Sequence, residues 1–339
     1  MSGPAPPVAA TRRAVRAALA DLEPGAVVLV ACSGGADSLA LAAAAAFESR
    51  RAWWRVGAVV VDHDLQADSS SIAAGVAATL SRLGLVPIEV VRVVVDLDSA
   101  VGPEAAARVA RYAAIDEVAD RCAAEAVLLG HTLDDQAETV LLGLARGSGA
   151  RSLAGMRPRT GLLRRPLLTL DRATTERACA AQGLTPWVDP HNADETYARV
   201  RVRRSALPAL ESALGPGVAE ALARTAELLR DDADALDAWS ATARRDATAD
   251  DGGLDCASLL TLPSAVRRRV LHTAALESGA THSALSHPHV MALDALVVDW
   301  HGQGSVALPG GVEGWRGCGR LYLRVAGEPS SNAERTTQA

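Results

Sequence analysis

Four short, almost unbroken apolar runs set what this chain can fold into: Val27–Ala31, Val56–Val61, Ile88–Val95 and Ala126–Leu129. Helix-like runs separate them, at roughly 38–49, 70–83, 103–125 and 133–145. A strand that is apolar at every position has both faces covered, and strands alternating with helices are joined by crossovers. The pattern predicts an α/β fold built on a doubly wound, Rossmann-like parallel sheet. Such sheets bind ligands beyond the carboxyl ends of their strands. That rule gathers four segments at one edge: Ser33–Ser38, Asp62-His63, the start of the 103–125 helix and His131–Glu138.

The first of these segments carries the strongest chemical signal. Ser33-Gly34-Gly35-Ala36-Asp37-Ser38 joins a strand to a helix. Glycines let backbone N–H groups approach an anion, and the helix N-terminus adds partial positive charge. Ser33 and Ser38 add hydroxyl donors, and Asp37 suits a metal ion or a proton accompanying a phosphate. The spacing is not that of the lysine-bearing nucleotide loop. It resembles the S-G-G-x-D-S signature of PP-loop ATP pyrophosphatases, which cut ATP between its α- and β-phosphates.

Composition narrows the partners. With 339 residues the chain has room for two domains and a sizeable core. Aromatics are only 3%, so Ala, Val and Leu must supply that core. All 34 basic residues are arginine, so no lysine can act as nucleophile or phosphate clamp. A formal charge of −6 argues against sequence-independent coating of nucleic acid but allows a local basic patch. No apolar stretch approaches the ~20 residues that span a bilayer, and the N-terminal residues lack signal-peptide features. The five cysteines are scattered without C-x-x-C spacing, so neither zinc site nor disulfide framework is expected, in keeping with a reducing cytoplasm.

Three further constellations stand out. His131-Thr132-Leu133-Asp134-Asp135-Gln136-Ala137-Glu138 puts an imidazole and three carboxylates at a helix start. First-turn acids suit a helix dipole, but the histidine at the strand end and the paired Asp134-Asp135 suit acid–base or metal chemistry better. Arg108 and Arg111 lie three apart on a helix, an ordinary solvated pattern unless a phosphate lies beside them. Arg199 and Arg203 share a helical face within a crowded run that also holds Arg201 and Arg204. Such a face needs an anionic partner: an RNA backbone, a substrate phosphate, or the neighbouring Asp189, Asp194 and Glu195. The glycine-dense segment Gly147–Arg159 suggests a loop approaching something closely.

In order along the chain, these motifs resemble the bacterial tRNA(Ile)-lysidine synthetases. The resemblance rests on Ser33–Ser38, Val61-Asp62-His63, Ala107-Arg108-x-x-Arg111-Tyr112, His131-x-x-Asp134-Asp135-Gln136-x-Glu138-Thr139, Arg146-Gly147-x-Gly149 and Gly155-Met156-x-Pro158. It covers roughly residues 25–210; a weaker likeness to the actinobacterial C-terminal domain lies in Asp299–Gly304 and Leu308–Gly311. It departs from the family pattern at Asp64, His191 and Val200. The resemblance implies ATP as co-substrate with Mg²⁺, a tRNA(Ile) with a CAU anticodon, and free L-lysine. It implies adenylation of the wobble cytidine, then displacement of AMP by the lysine ε-amine.

The same resemblance assigns ATP binding to Ser33, Gly34, Gly35, Ala36, Asp37, Ser38, Asp62, His63 and Arg108. It assigns catalysis to Asp37, Arg111, His131, Asp134 and Asp135, the metal to Asp37 and Asp134, and tRNA or lysine contacts to Arg199 and Arg203. The expected layout is a disordered 1–10, a catalytic domain with helical extension over 11–214, a linker helix and tRNA-binding domain over 215–326, and a disordered tail over 327–339. The oligomeric state stays open, a homodimer among the options. A PP-loop tRNA 2-thiolation enzyme is the alternative reading; the scattered cysteines and Ala36 oppose it. A PP-loop amidotransferase and a non-catalytic nucleotide-binding module account for fewer of these residues.

Overall fold

The chain starts helical. In the computed structural model, which describes residues 3–62, 68–94, 103–147 and 149–326, helix α1 spans Pro6–Ala18. The expectation of disorder through residue 10 is therefore corrected. Prolines in a first helical turn lack only N–H groups that would go unpaired anyway, and Val8, Thr11 and Val15 are buried. His63, Asp64 and the tail at 327–339 lie outside the described residues.

The chain forms two compact units, Met1–Leu229 and Arg230–Ala339. The first continues with β1 (Val27–Ala31), α2 (Ala36–Ala52), β2 (Arg55–Asp62), α3 (Ser69–Leu83), β3 (Ile88–Arg92), α4 (Pro103–Arg121), β4 (Ala126–Leu129) and α5 (Leu133–Ala145). Then come α6 (Ala150–Leu153), the short strands β5 (Arg159–Thr160) and β6 (Leu163–Arg164), a 3₁₀ turn at Pro166–Thr169 and α7 (Arg172–Ala180). Helix α8 (Ala198–Arg201) passes through a π-turn, Val202–Ala206, into α9 (Leu207–Leu214). The sheet order is β3-β2-β1-β4-β6-β5. Every pairing is parallel except β5 with β6.

The doubly wound expectation holds. Val28 and Val30 of β1 enter a core with residues of α1, α2, α3 and α7. Val27 and Leu29, on the other face, pack with Ile115, Val118 and Ala119 of α4. Strand order reverses at β1: β2 and β3 extend one way, β4 and β6 the other. The switch point, where such sheets open a crevice, thus lies between the carboxyl ends of β1 and β4. Scarcity of aromatics shows in α2, where Leu39 through Ala46 are all buried. A helix apolar all round is one enclosed all round.

Two expected elements are shorter than their apolar patterns. Strand β3 ends at Arg92 and is only half-buried, because it is the sheet edge, with β2 its only neighbour among the described residues. Helix α4 ends at Arg121, after which Ala123 adopts a left-handed conformation (φ 49°) ahead of β4.

The break between units falls inside helix α10 (Val218–Ala247), not at the expected Gly215-Pro216-Gly217 hinge. The second unit adds β7 (Leu254–Asp255), α11 (Cys256–Thr261), α12 (Ser264–Glu277), α13 (His287–Val298), β8 (Val306–Leu308), β9 (Val312–Gly317) and β10 (Arg320–Val325). Its antiparallel sheet has the order β7-β10-β9-β8, so β8 and β10 do not pair directly as expected; β9 lies between them. Glycine hides β9 in the sequence. At Gly314 a Cβ would stand 2.5 Å from Leu293 Cδ2 of α13, so close helix-to-strand packing requires the bare backbone. Among the described residues no helix is long and apolar enough to cross a membrane.

Candidate active site

At the switch point, β1 runs into Cys32-Ser33-Gly34-Gly35 before α2 begins at Ala36. No side chain caps the helix at Gly35, so the first-turn N–H groups face the crevice as anion donors. Gly34 has φ +84°, and a Cβ there would meet Val76 Cγ2 at 2.5 Å. Its carbonyl accepts the Trp187 N–H at 2.9 Å, tying the 186–189 segment to the loop. Ser38 Oγ donates to the Gly35 carbonyl at 3.0 Å, bracing the turn from inside. From β4, Gly130 abuts the same turn: a Cβ would lie 3.1 Å from Ser38 N.

A cleft of about 780 Å³ opens here. Ser33, Gly35, Ala36, Asp37 and Ser38 line it, as do Asp62, Arg111, His131, Asp135 and Arg203. Gly34 lies between two of those residues. Asp134, Arg108 and Arg199 are not on its wall, and His63 falls outside the described residues. Arg108 is exposed; it donates to Tyr112 Oη at 3.3 Å and lies 4.9 Å over that ring. Only Arg111 of the pair faces the cleft.

Helix α5 delivers the acidic cluster. Thr132 is its N-cap and Asp135 its third residue, joined in a capping box: Thr132 N–H donates to Asp135 Oδ2 at 2.9 Å. Asp135 Oδ1 accepts from Arg172 Nη2 at 3.0 Å and from Arg203 Nη2 at 3.4 Å. Asp134 turns the other way and accepts the Arg172 backbone N–H at 2.8 Å. Glu138, fully buried, takes Arg203 Nε at 2.6 Å and Nη2 at 3.1 Å, with Arg199 Nε at 3.3 Å. The anion that the arginine face required is thus within the chain. Arg201 and Arg204 turn outward to the carbonyls of Glu195 and Thr196, and of Ala193.

Asp37 is not on an exposed loop. Its Oδ1 accepts the Thr175 hydroxyl and its Oδ2 lies 3.6 Å from Arg172 Nε. Burial pushes its carboxyl above the ordinary range, against the pull of Thr175 and Arg172 and with the help of Asp135. For Asp135 burial also pushes upward, but Arg172, the Thr132 N–H, His131 and Arg199 together hold it below the usual range. The His131 imidazole is lowered to about 4, first by burial and then by Arg165, Arg108 and Arg111. It is therefore neutral at physiological pH, and its buried Nδ1 has no hydrogen-bond partner among the described residues.

Two participants escaped the sequence reading. Arg172, at the start of α7, touches Asp37, Asp135 and Glu138. Thr175, one turn on, holds Asp37. The only signal in the sequence is the N-cap Asp171 that starts their helix, which is too common to mark a site. The Gly147–Arg159 segment resolves into packing: a Cβ on Gly155 (φ +61°) would strike Gln136, whose amide clamps Met156 N–H at 2.7 Å and its carbonyl at 3.1 Å.

A parallel sheet with an uncapped Ser-Gly-Gly turn at its switch point, facing an acid-rich helix start, defines a PP-loop ATP-using protein. Family comparison agrees in detail. Residues 9–210 match the PP-loop domain, and residues 254–322 match the TilS substrate binding domain. The chain is 57% identical over 323 residues to the tRNA(Ile)-lysidine synthase of Thermobifida fusca, covering 95% of this chain and 99% of that protein. It is 54% identical to the tRNA(Ile)-lysidine synthase of Streptomyces coelicolor, covering 95% and 99%. Among solved structures, the U34-tRNA thiolase NcsA from Methanococcus maripaludis, with its [4Fe-4S] cluster, superposes with a TM-score of 0.56 at 20% identity. That match covers 66% of this chain and 80% of the thiolase and reflects the shared fold. The chain belongs to the tRNA(Ile)-lysidine synthase family.

Proposed function

We propose that this enzyme joins free L-lysine to the wobble cytidine of a CAU-anticodon tRNA(Ile), forming lysidine and changing the tRNA's identity from methionine to isoleucine. In the first step the cytidine ring carbonyl oxygen attacks the α-phosphorus of ATP and pyrophosphate leaves. In the second the lysine ε-amine attacks the activated ring carbon, AMP leaves with its oxygen, and the amine gives up a proton. The observation that carries this reading is one cleft joining the uncapped phosphate turn to a carboxylate–guanidinium cluster. An anion and an ammonium group need such opposite environments side by side.

On this reading Ser33–Ser38 receive the phosphates and Asp62, on the cleft wall, flanks the nucleoside; His63, outside the described residues, joins it by the family motif alone. Arg111, with Arg108 behind it, offsets charge developing during transfer. His131, on the cleft wall with its imidazole kept neutral, offers a hydrogen bond to the substrate rather than a strong base. Asp134 and Asp135 fix the edge of the second subsite, and Arg199 and Arg203 serve the lysine side through Glu138. Mg²⁺ would be held by Asp37, on the cleft wall at the phosphate turn, rather than by Asp134, which is not on that wall. When bound, Mg²⁺ neutralises phosphate charge.

The thiolation alternative finds less support. Cys32 follows β1, Cys122 follows α4 and Cys179 lies on α7, and no group of three metal-ligating side chains occurs among the described residues. Incubation with ATP, labelled lysine and total tRNA, followed by nucleoside mass analysis, tests the proposal. Label should enter one cytidine-derived nucleoside. Pyrophosphate release that needs neither tRNA nor lysine would sink it.

A further inference from the structure

Within the cleft one cation touches both halves of the site. Arg172 Nε lies 3.6 Å from Asp37 Oδ2, its Nη2 3.0 Å from Asp135 Oδ1 and its Nη1 3.7 Å from Glu138 Oε1. Its own backbone N–H holds Asp134 at 2.8 Å. Thus a single residue addresses the carboxylate of the phosphate turn and all three carboxylates of α5. Among the described residues the other arginines do not: the ion pairs of Arg199 are to Glu138, and those of Arg203 to Glu138 and Asp135. Thr175, on the same helix, has one hydroxyl proton to share between Asp37 Oδ1 and the Arg172 carbonyl, so α7 reaches Asp37 through a second side chain.

We infer that Arg172 is a positioning residue shared by the two chemical steps, setting Asp37 for transfer from ATP and Asp135 with Glu138 for the incoming amine. The inference rests on the two-step reading above. A guanidinium is well matched to such a position, being planar, permanently charged and able to present several donors in fixed directions. Its three side-chain partners lie on two different helices, α2 and α5, so its loss leaves both carboxylate groups without their common reference. Arg203 would still hold Glu138 and Asp135, but nothing among the described contacts would link them to Asp37.

The test uses the full chain with tRNA and follows the two steps separately. Adenylated tRNA is measured in single turnover at saturating ATP without lysine. Lysine-dependent AMP release is then measured from the preformed adenylate. Wild-type protein must perform both; if it performs neither, the proposed function fails and not the role of Arg172. Arg172→Ala should slow each step at least tenfold, change the KM for ATP less than threefold, and recover partly with added methylguanidinium. Arg177→Ala, an exposed neighbour on α7, should leave both rates unchanged.

Loss confined to the KM for ATP would make Arg172 a nucleotide ligand and overturn the inference. So would loss in one step only, or wild-type rates once corrected for folded fraction. Thr175→Val keeps Arg172 and removes one hold on Asp37. It should slow adenylate formation and spare amine transfer, and it decides the matter should Arg172→Ala not fold. Wild-type adenylation in Thr175→Val would overturn the idea that α7 positions Asp37.

Discussion

Asp37 shows how far a residue's role depends on what stands behind it. It faces the phosphate turn, yet Thr175 and Arg172 hold its carboxylate. Asp37→Asn keeps the shape and removes the charge. Pyrophosphate release should fall at least a hundredfold, with a melting temperature near wild type. Asp37→Ala removes the bond from Thr175, whose hydroxyl keeps the Arg172 carbonyl, and should change stability by no more than about 1 kcal/mol in denaturant titrations. His131 makes a sharper prediction. Its lowered pKa, about 4 against 6.5, means the folded protein binds fewer protons than the unfolded chain in that window. Its contribution to stability is therefore full above pH 6.5 and lost as pH falls towards 4. Nitrogen-15 spectra of the histidines should show the His131 ring neutral down to about pH 5; titration near 6.5 would refute the buried, neutral imidazole.

Elements tell a different story from residues. Helix α5 is started and chemically equipped by the same side chain, because Asp135 both closes the capping box and faces the cleft. Thr132→Val should cost about 1 kcal/mol from the lost cap and lower activity further than that loss of folded protein explains. The segment from Arg199 to Arg203 passes from α8 into a π-turn, and both side chains end on Glu138. Arg203→Gln should accordingly raise the lysine requirement. It should leave the slope of log tRNA affinity against log salt unchanged, where one lost phosphate contact would lower it by about 0.7–0.9.

What the sequence could disclose followed the same division. β1, β4 and α5 were legible to the residue, because continuous apolar runs and capping residues are local signals. β9 was not, because Gly314 answers to Leu293 of α13, a contact made only once the unit has folded. Arg172 was invisible for a similar reason: its partners Asp37 and Asp135 lie on helices far from it along the chain. An isolated arginine after a helix cap carries no mark of what folding will bring to it.

At the scale of the whole molecule, the two units have separate cores. That of Arg230–Ala339 is aliphatic apart from Cys256, built from residues such as Leu259, Val270, Leu271 and Leu293. The nucleotide motifs belong wholly to Met1–Leu229. Truncation after Leu229 should retain ATP binding, measured by calorimetry, and weaken tRNA binding severely. Equal loss of both would contradict this division of labour. The cut belongs inside α10; one at Leu214 would also remove α10 residues that the first unit includes.

Among the described residues every permanent cation on the cleft wall is a guanidinium: Arg111, Arg172 and Arg203. With no lysine anywhere in the chain, the protein has no ε-amine of its own. A reactive adenylate formed here cannot be trapped by the enzyme's own side-chain amines. Any ε-amine resonance or amine-directed label found in the cleft belongs to the amino acid brought from outside, so the bound nucleophile can be titrated in place without a background from the catalyst.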